Sequence, residues 1–502
     1  MMTKSLTSEL FFYSSIGLAL VGLAQPAWSQ TVQKVADLQV SVDQNTGLGY
    51  GPSTPETRLT LVGTNLWFTS NAGGAAGAGA VFSFDPFTSN ITQLATLDNT
   101  SGKSPWSSAV VVANGLGWFT TSVGGTGNKG SLVSIDLAAN TLNNVYSFPT
   151  NDYITSFHGQ APHSTPVQIG QELWFTCSAG GTNSTYGTVT KYNLTNGAVT
   201  DVFLLNGTNT DVPGRQPLGS SLVPVLGTNY YFLTFAGGVV RPGAPNGAGV
   251  LEKITFDAAG NPKLSATVLP GGFISFPAGD PVFDGTNFLY FTTAGSSTNV
   301  GAIVRYNLTN GALTSLFNFV TNAVATTNYG KQPYGTPVLF NNTLYFTTLA
   351  GGTQGKGVLD SLVLSNGVVS KLADFEGVTG QALGASPQYG GGTIYTNPIT
   401  GSVGIYFPIN KGGVASSGAA SGNGTIIRVA LPPPPIVAGI SNTPAGPVLT
   451  WVGGYGPFNV DTTSDLQAVP WTTNWLSGLL TNAIPLDPTI PRAFFRVSGA
   501  SQ

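Results

Sequence analysis

One phrase recurs along the chain. Residues 66–74 read LWFTSNAGG, residues 117–125 GWFTTSVGG and residues 173–181 LWFTCSAGG. An aromatic residue followed by phenylalanine stands at Trp67, Trp118, Trp174, Tyr231, Tyr290, Tyr345 and Tyr406. Subtracting positions gives steps of 51, 56, 57, 59, 55 and 61 residues. Each unit of that length must bury its apolar face against a neighbour, which restricts the chain to a solenoid, an array or a propeller.

The content of a unit narrows the choice. The fifth carries four strand-like runs, DPVFDG, FLYFTT, AIVRYNL and LTSLFNF, separated by Gly, Asn, Thr and Ser. They are rich in β-branched and aromatic residues and bounded by turn formers. The turn NLTNGA occurs at 193–198 and again at 307–312; Asn-Gly tolerates the positive φ of a tight hairpin. No stretch shows helical periodicity. The runs LWF and LYF are apolar without alternation, as a sheet covered on both faces requires. Four strands per unit and seven units predict an all-β chain, a seven-bladed β-propeller.

Closure of the ring is also predicted. The seventh unit ends at its third strand, GTIIRVAL (424–431), and Pro432–Pro435 follows. Proline cannot donate to a ladder. The segment Gln33–Val42 precedes the first unit and is similar to Ser370–Gly377, the fourth strand of the sixth. The N-terminal strand is therefore expected to complete the last blade and to protect its edge.

The ends define the remaining domains. Lys4, the apolar run Phe11–Ala24 and the small residues Ala27 and Ser29 read as a signal peptide over 1–29. The expectation is a secreted or cell-surface protein with no membrane span in the mature chain. The propeller takes 30–431, a polyproline linker 432–435 and a small C-terminal β module 436–502, with runs such as AGPVLTWVGG and RAFFRVSG. Charged residues make up 8% of the chain and the net charge is −3, with no basic stripe. Binding to nucleic acid depends on clustered cations, so that class of partner is excluded. The single Cys177 excludes an internal disulfide. A monomer without a cofactor is expected.

The unit LYFTT-x-GG, best represented by Leu344–Gly352 and Leu173–Gly181, resembles the GloVer tandem repeat of "choice-of-anchor" secreted bacterial proteins. The resemblance covers roughly residues 50–430. It implies an exported repeat protein, often carried beside a variable C-terminal sorting or attachment segment. It implies no reaction and supplies no catalytic residues. The fourth unit departs from the pattern with YYFLTFAGG, and the fifth has AGSS in place of the double glycine. The tail is similar to short C-terminal β modules ending in FFRV, without a terminal sorting helix.

An activity would sit on the face that carries the incoming loop of each blade. These loops read GQAPHSTP (159–166), GRQPLGSS (214–221), GKQPYGTP (330–337) and GQALGASP (380–387). They ring one face with Gln160, Gln216, Gln332 and Gln381, interleaved with His163, Arg215 and Lys331. Amides and a few cations around a concave mouth suit a hydroxyl-rich ligand such as a glycan. The same glutamines suit a second role, fixing each loop into the channel. His158 and His163 are too few for a metal site, and no nucleophile elbow accompanies them, so no catalytic or metal-binding residue is assigned. Cys177 takes a position that other copies give to Ser70, Thr121, Thr293 and Thr348, and reads as a small buried residue. Asp280 with Asp284, and Asp374 with Glu376, would serve glycoside hydrolysis only if paired across a site.

Three readings follow. The first is a non-catalytic binding or surface-interaction propeller for a glycan or a surface protein. The alternative is a carbohydrate-active enzyme, a lyase or glycoside hydrolase, with its site at the channel mouth. The third is a purely structural envelope protein. Convergence of His163, Arg215 and Lys331 on a carboxylate would favour the enzyme, a mouth of exposed aromatics and amides the binding protein, and a plugged channel the structural one.

Overall fold

The computed structural model describes residues 10–14, 17–21, 30–38, 41–42, 49–50, 52–151, 157–182, 184–207, 214–238, 240, 246–295, 300–320, 328–377, 383–413, 423–433, 436–463, 472–486 and 492–498. Among them every regular element is a β-strand. The chain divides into two compact units, one of residues 33–393 and 406–428, the other of residues 1–32, 394–405 and 429–502.

The larger unit is propeller-like, a succession of antiparallel sheets. Its fifth sheet shows the plan: Val282–Phe283, Phe288–Thr293, Ala302–Asn307 and Leu313–Asn318 lie side by side in chain order. The phrase forms the second strand, and from Leu289 to Thr293 every residue is buried. The outermost strand is half-buried. Asn307 begins the last hairpin, its side-chain oxygen accepting from the Thr309 N–H at 2.8 Å, and Gly311 closes it with a φ of +71°.

The two aromatic positions of the phrase face opposite ways, because successive strand residues point to opposite faces. Trp67 packs with Phe119 and Val133 of the next sheet. Trp118 packs with Phe175, Trp174 with Phe232, Tyr231 with Phe291, and Tyr290 with Phe346. Each of these five interfaces thus receives the first aromatic of one unit and the phenylalanine of the following one. Tyr406, from the last copy, lies 6.0 Å from Phe84 in the first sheet. Burying such a ring contributes roughly 1.5–3 kcal/mol, which is why both positions stay apolar in every copy.

A second device links the sheets. The residue before the incoming-loop proline has φ between +48° and +57° at Thr54, Ser104, Ala161, Gln216, Phe276, Gln332 and Ser386. Its N–H donates to the preceding unit, from Ser104 to Ala78, Ala161 to Lys129, Gln216 to Tyr186, Phe276 to Ala248, Gln332 to Val300 and Ser386 to Lys356. Thr54 donates instead to Asn423, 3.0 Å away in the last unit. The proline then rests on a glycine that has no room for a side chain: a Cβ on Gly187 would meet Pro217 Cδ at 3.0 Å, and one on Gly424 would meet Pro55 Cδ at 3.2 Å.

The N-terminal strand Thr31–Asp37 takes the outer place beside Thr425–Ala430, which pairs with Val403–Ile409 and then Thr393–Thr396. This strand stops short of the expected Gln33–Val42, since Ser41–Val42 pairs instead with Gly49–Tyr50. The reason is length: the outer strands of the other sheets run to six or seven residues, and beyond that the chain must turn toward the next innermost strand.

The smaller unit contains a three-stranded sheet of Val437–Thr443, Gly446–Val452 and Ala483–Pro485. A second sheet runs in the order Gly17–Val21, Leu10–Ser14, Arg492–Ser498, Phe458–Thr463, Thr472–Leu479. Leu449, Trp451, Phe458, Val460, Ile484 and Phe495 form its core. Part of the segment read as a signal peptide is thus a hairpin against Arg492–Ser498, with Phe12 opposite Phe494. The expected cut after Ser29 and half of the polyproline run, Pro434 and Pro435, lie outside the described residues.

Candidate functional site

The innermost strands begin with a relay of hydrogen bonds that passes from unit to unit. The Ala109 N–H donates to Thr165 Oγ1 at 2.9 Å, the Thr165 N–H to Ser221 Oγ at 3.1 Å, the Ser221 N–H to Asp280 Oδ1 at 2.5 Å, and the Asp280 N–H to Thr336 Oγ1 at 2.8 Å. Threonines of the repeated phrase reinforce it. Thr69 donates to the Ser108 carbonyl at 2.8 Å, and Thr120, Thr176 and Thr292 donate to Ser164, Ser220 and Gly335 at 2.9 Å. The threonine of WFT is therefore a clasp on the next unit. Leu233 takes this place in the fourth copy and keeps only its N–H bond, to Ser220 Oγ at 2.9 Å.

A cavity of about 540 Å³ opens on this relay. Arg58, Thr60, Thr165, Gln168, Ser221, Asp280 and Thr336 supply its polar lining, and Val110, Leu222, Val282 and Phe283 are among its apolar residues. The Arg58 guanidinium, 43% exposed, stands 3.6 Å from Asp280 Oδ2, and the Asp280 side chain is only 8% exposed.

The incoming loops bring together a second constellation. Trp106 meets His163 edge to face at 4.6 Å and Tyr389 at 5.1 Å, and Tyr389 meets Tyr334 at 5.6 Å. Trp106, Tyr334 and Tyr389 are half-buried. His163 is buried, and burial carries its pKa down to about 4, so the imidazole is neutral at pH 7. Glu56 is buried nearby. Burial pushes its carboxyl up to about 7, against an Asn410 hydrogen bond, the charge of Lys411 and the adjacent Trp106 indole.

Of the residues proposed from sequence, only His163 belongs to this cluster. Gln160 is buried, and its amide donates to the Pro149 carbonyl at 3.0 Å, a loop-fixing bond. Gln216 and Gln332 occupy the positive-φ position before proline, at +53° and +57°. Their carbonyls accept from Phe235 and Leu349 at 3.0 Å. Arg215 lies over the Tyr186 ring, 5.8 Å from its centre. The Lys331 backbone pairs with Ala350. None of Gln160, His163, Arg215, Gln216, Lys331 and Gln332 lines the 540 Å³ cavity, and Gln381 lies outside the described residues.

The other candidates have separate partners. His158 Nδ1 stands 3.6 Å from Asp201. Among the described residues no three His, Cys, Asp or Glu side chains are grouped to hold a metal ion. Cys177 is fully buried, and burial, reinforced by Asp201, raises its thiol pKa far above the usual range. Asp284 caps its own hairpin through the Thr286 and Asn287 N–H groups at 2.8 and 2.9 Å, while Asp280 serves the relay. Asp374 holds Thr353 and Lys371, and Glu376 is exposed.

Sequence reasoning passed over Arg58, Glu56, Trp106, Tyr334 and Tyr389, and also two buried carboxyls. Glu252 and Asp360 occupy equivalent third-strand positions in VLEK and VLDS, where Val133 and Val304 stand elsewhere. Both are fully buried. Burial pushes Glu252 up to about 8 and raises Asp360 well above the carboxylate range. A charge inside an apolar pattern was the available signal.

No family model matches the chain, and no curated protein matches it. Solved structures do. A protein assigned as a 6-phosphogluconolactonase from Bacteroides uniformis shares 16% identity over 69% of this chain and 91% of its own, with a TM-score of 0.44. A puromycin hydrolase shares 14% identity over 86% of this chain, TM-score 0.44. TolB from Acinetobacter baumannii shares 12% identity over 58% of this chain, TM-score 0.32. The chain spans 62% of the puromycin hydrolase and 58% of TolB. Likeness this distant carries no activity across.

Proposed function

We propose that the larger unit is a seven-bladed β-propeller closed by its N-terminal strand, of the GloVer-repeat kind. On this reading the leader of residues 1–29 exports it, and it acts in secreted or cell-surface form. Support for the closure comes from the two links between the last unit and the first, Thr54 to Asn423 at 3.0 Å and Tyr406 against Phe84 at 6.0 Å.

Its role is non-catalytic binding, with a glycan as ligand on the incoming-loop face. The observation that carries this reading is the half-buried cluster of Trp106, Tyr334 and Tyr389, drawn from three units. Flat rings with one open face stack on the apolar face of a sugar, and neighbouring amides bond its hydroxyls. Gln216 and Gln332 are half-exposed on the same loops. A glycan array on the purified protein tests it. Trp106→Ala and Tyr334→Ala should abolish the signal and Gln216→Ala and Gln332→Ala should weaken it; binding indifferent to all four defeats the assignment of this face.

The second reading, a carbohydrate-active enzyme at the same mouth, draws on Glu56, whose carboxyl titrates near 7 beside Trp106 and so suits a general acid. Turnover of a glycan that Glu56→Gln abolishes without loss of binding would establish it.

A further inference from the structure

We infer that the cavity on the innermost strands is a second binding site, for a carboxylate of monosaccharide size that also carries hydroxyl oxygens, such as a hexuronate. The direction of the relay carries the inference. The oxygens of Thr165, Ser221 and Thr336 each accept a backbone N–H. Each hydroxyl still has a proton to donate, and among the described residues none of the three donates to a protein acceptor. All three line the cavity.

Arg58 adds charge to this set of donors. Among the described residues its one ion partner is Asp280 at 3.6 Å, a contact longer than a hydrogen bond, and the side chain is 43% exposed. A guanidinium fork matches a carboxylate with two parallel bonds. Asp280, the one acidic residue among the described residues that line the cavity, accepts Ser221 N–H through Oδ1, and its Oδ2 faces Arg58 at 3.6 Å without a hydrogen bond. The hydroxyls of Thr165, Ser221 and Thr336 and the Arg58 guanidinium together outnumber the acceptors of the wall, Asp280 Oδ2 and the Gln168 amide oxygen, so the complementary ligand is rich in acceptors and carries a negative charge toward Arg58. The apolar side chains of Val110, Leu222 and Val282 in the same wall lower the local dielectric, which strengthens the charged bonds. About 540 Å³ falls within the range of small-molecule pockets.

The test is calorimetric titration and thermal melting of the purified full chain at pH 7, with glucuronate and galacturonate as ligands. Glucose, methyl galacturonate and sodium sulfate are the comparisons. The expected result is binding and a raised Tm with both uronates, and neither with glucose or the methyl ester. Arg58→Gln should weaken uronate binding by about tenfold or more, and Thr336→Val by about threefold to tenfold. Trp106→Ala and Gln332→Ala, which would abolish or weaken glycan binding at the incoming loops, should leave it unchanged, so the two sites fail independently. Equal effects of glucuronate and glucose, equal effects of glucuronate and sulfate, no response to either uronate, or full binding by Arg58→Gln would each overturn the proposal. Should Arg58→Gln not fold, the comparison of acid with methyl ester on the unaltered chain decides alone.

Discussion

The backbone N–H of Leu38 donates to the carbonyl of Gly424 at 2.9 Å, tying the beginning of the repeat region to its end. The same bond recurs inside the other sheets, from Leu97 to Gly79, Phe148 to Gly130, Leu205 to Gly187, Leu269 to Gly249, Phe319 to Gly301 and Phe375 to Gly357, at 2.9–3.1 Å. Leu38 and Leu97 are both 0% exposed. Equivalent burial at equivalent positions should give equivalent energies. Leu38→Ala and Leu97→Ala are each expected to cost about 2–5 kcal/mol, measured by denaturant unfolding. A negligible cost at Leu38 beside a full cost at Leu97 would show that the N-terminal strand does not belong to the cooperative fold.

The glycine–proline contact between units predicts a contrast. Gly187 has φ +94°, and a Cβ there would run into the Cys177 carbonyl and approach Pro217 Cδ at 3.0 Å. Gly260 has φ +81° with nothing within 4 Å. Gly260→Ala should cost only the strain of the left-handed backbone, about 1–2 kcal/mol. Gly187→Ala carries the same strain plus a collision with backbone, and its Tm should fall well below that of Gly260→Ala. Equal melting temperatures would dismiss the steric role of this contact.

The repeated phrase made the sheets legible because both of its aromatic positions face a neighbouring sheet, so their burial leaves the same mark in every copy. The outer place of Thr31–Asp37 was legible through its likeness to the sixth unit's fourth strand. The site was not, for a physical reason. Arg58, Trp106 and Tyr389 are single occupants of positions that other units fill differently, so no repeat marks them. Gln216 and Gln332 recur at a backbone position, the positive φ before proline, that Thr54, Ala161 and Phe276 share, so their recurrence alone does not mark a ligand contact. Recurrence reports what every interface needs; a ligand site is built from the exceptions.

The threonine clasp predicts a cost for a nearly isosteric change. Thr120 is 0% exposed, and its hydroxyl donates to the Ser164 carbonyl at 2.9 Å. Thr120→Val keeps the volume but leaves that carbonyl without this donor, which costs about 1–3 kcal/mol. The converse change, Leu233→Thr in the one copy whose clasp is replaced by leucine, should not recover that energy, since Leu233 is packed in an apolar cluster with Leu251 and Phe291. If Thr120→Val melts with the unaltered protein, the clasp contributes nothing to the joint between units.

Glu252 sets a pH dependence of known sign. Its Oε1 accepts the Gly214 N–H at 3.0 Å, Oε2 is buried without a partner among the described residues, and burial pushes the carboxyl from 4.5 up to about 8. Between those values the folded state holds a proton that the unfolded state has lost. Stability therefore falls as pH rises from 4.5 through about 8 and is level above that. At roughly 1.4 kcal/mol per pKa unit, the loss reaches several kcal/mol at most. Glu56 adds a loss of the same sign between 4.5 and about 7. His163, lowered from 6.5 to about 4, opposes both, because the unfolded state binds its proton first and stability rises with pH between those values. Glu252→Gln keeps an oxygen for Gly214 and cannot ionise. Its unfolding free energy should run nearly parallel to that of the unaltered protein below pH 4.5, gain on it between pH 4.5 and pH 8, and run parallel again above that. Because the amide nitrogen is as poorly satisfied as Oε2, the readout is this difference in slope rather than absolute stability. Two curves that remain parallel from pH 4 to pH 9 would mean that Glu252 titrates in the folded protein as it does in the unfolded chain.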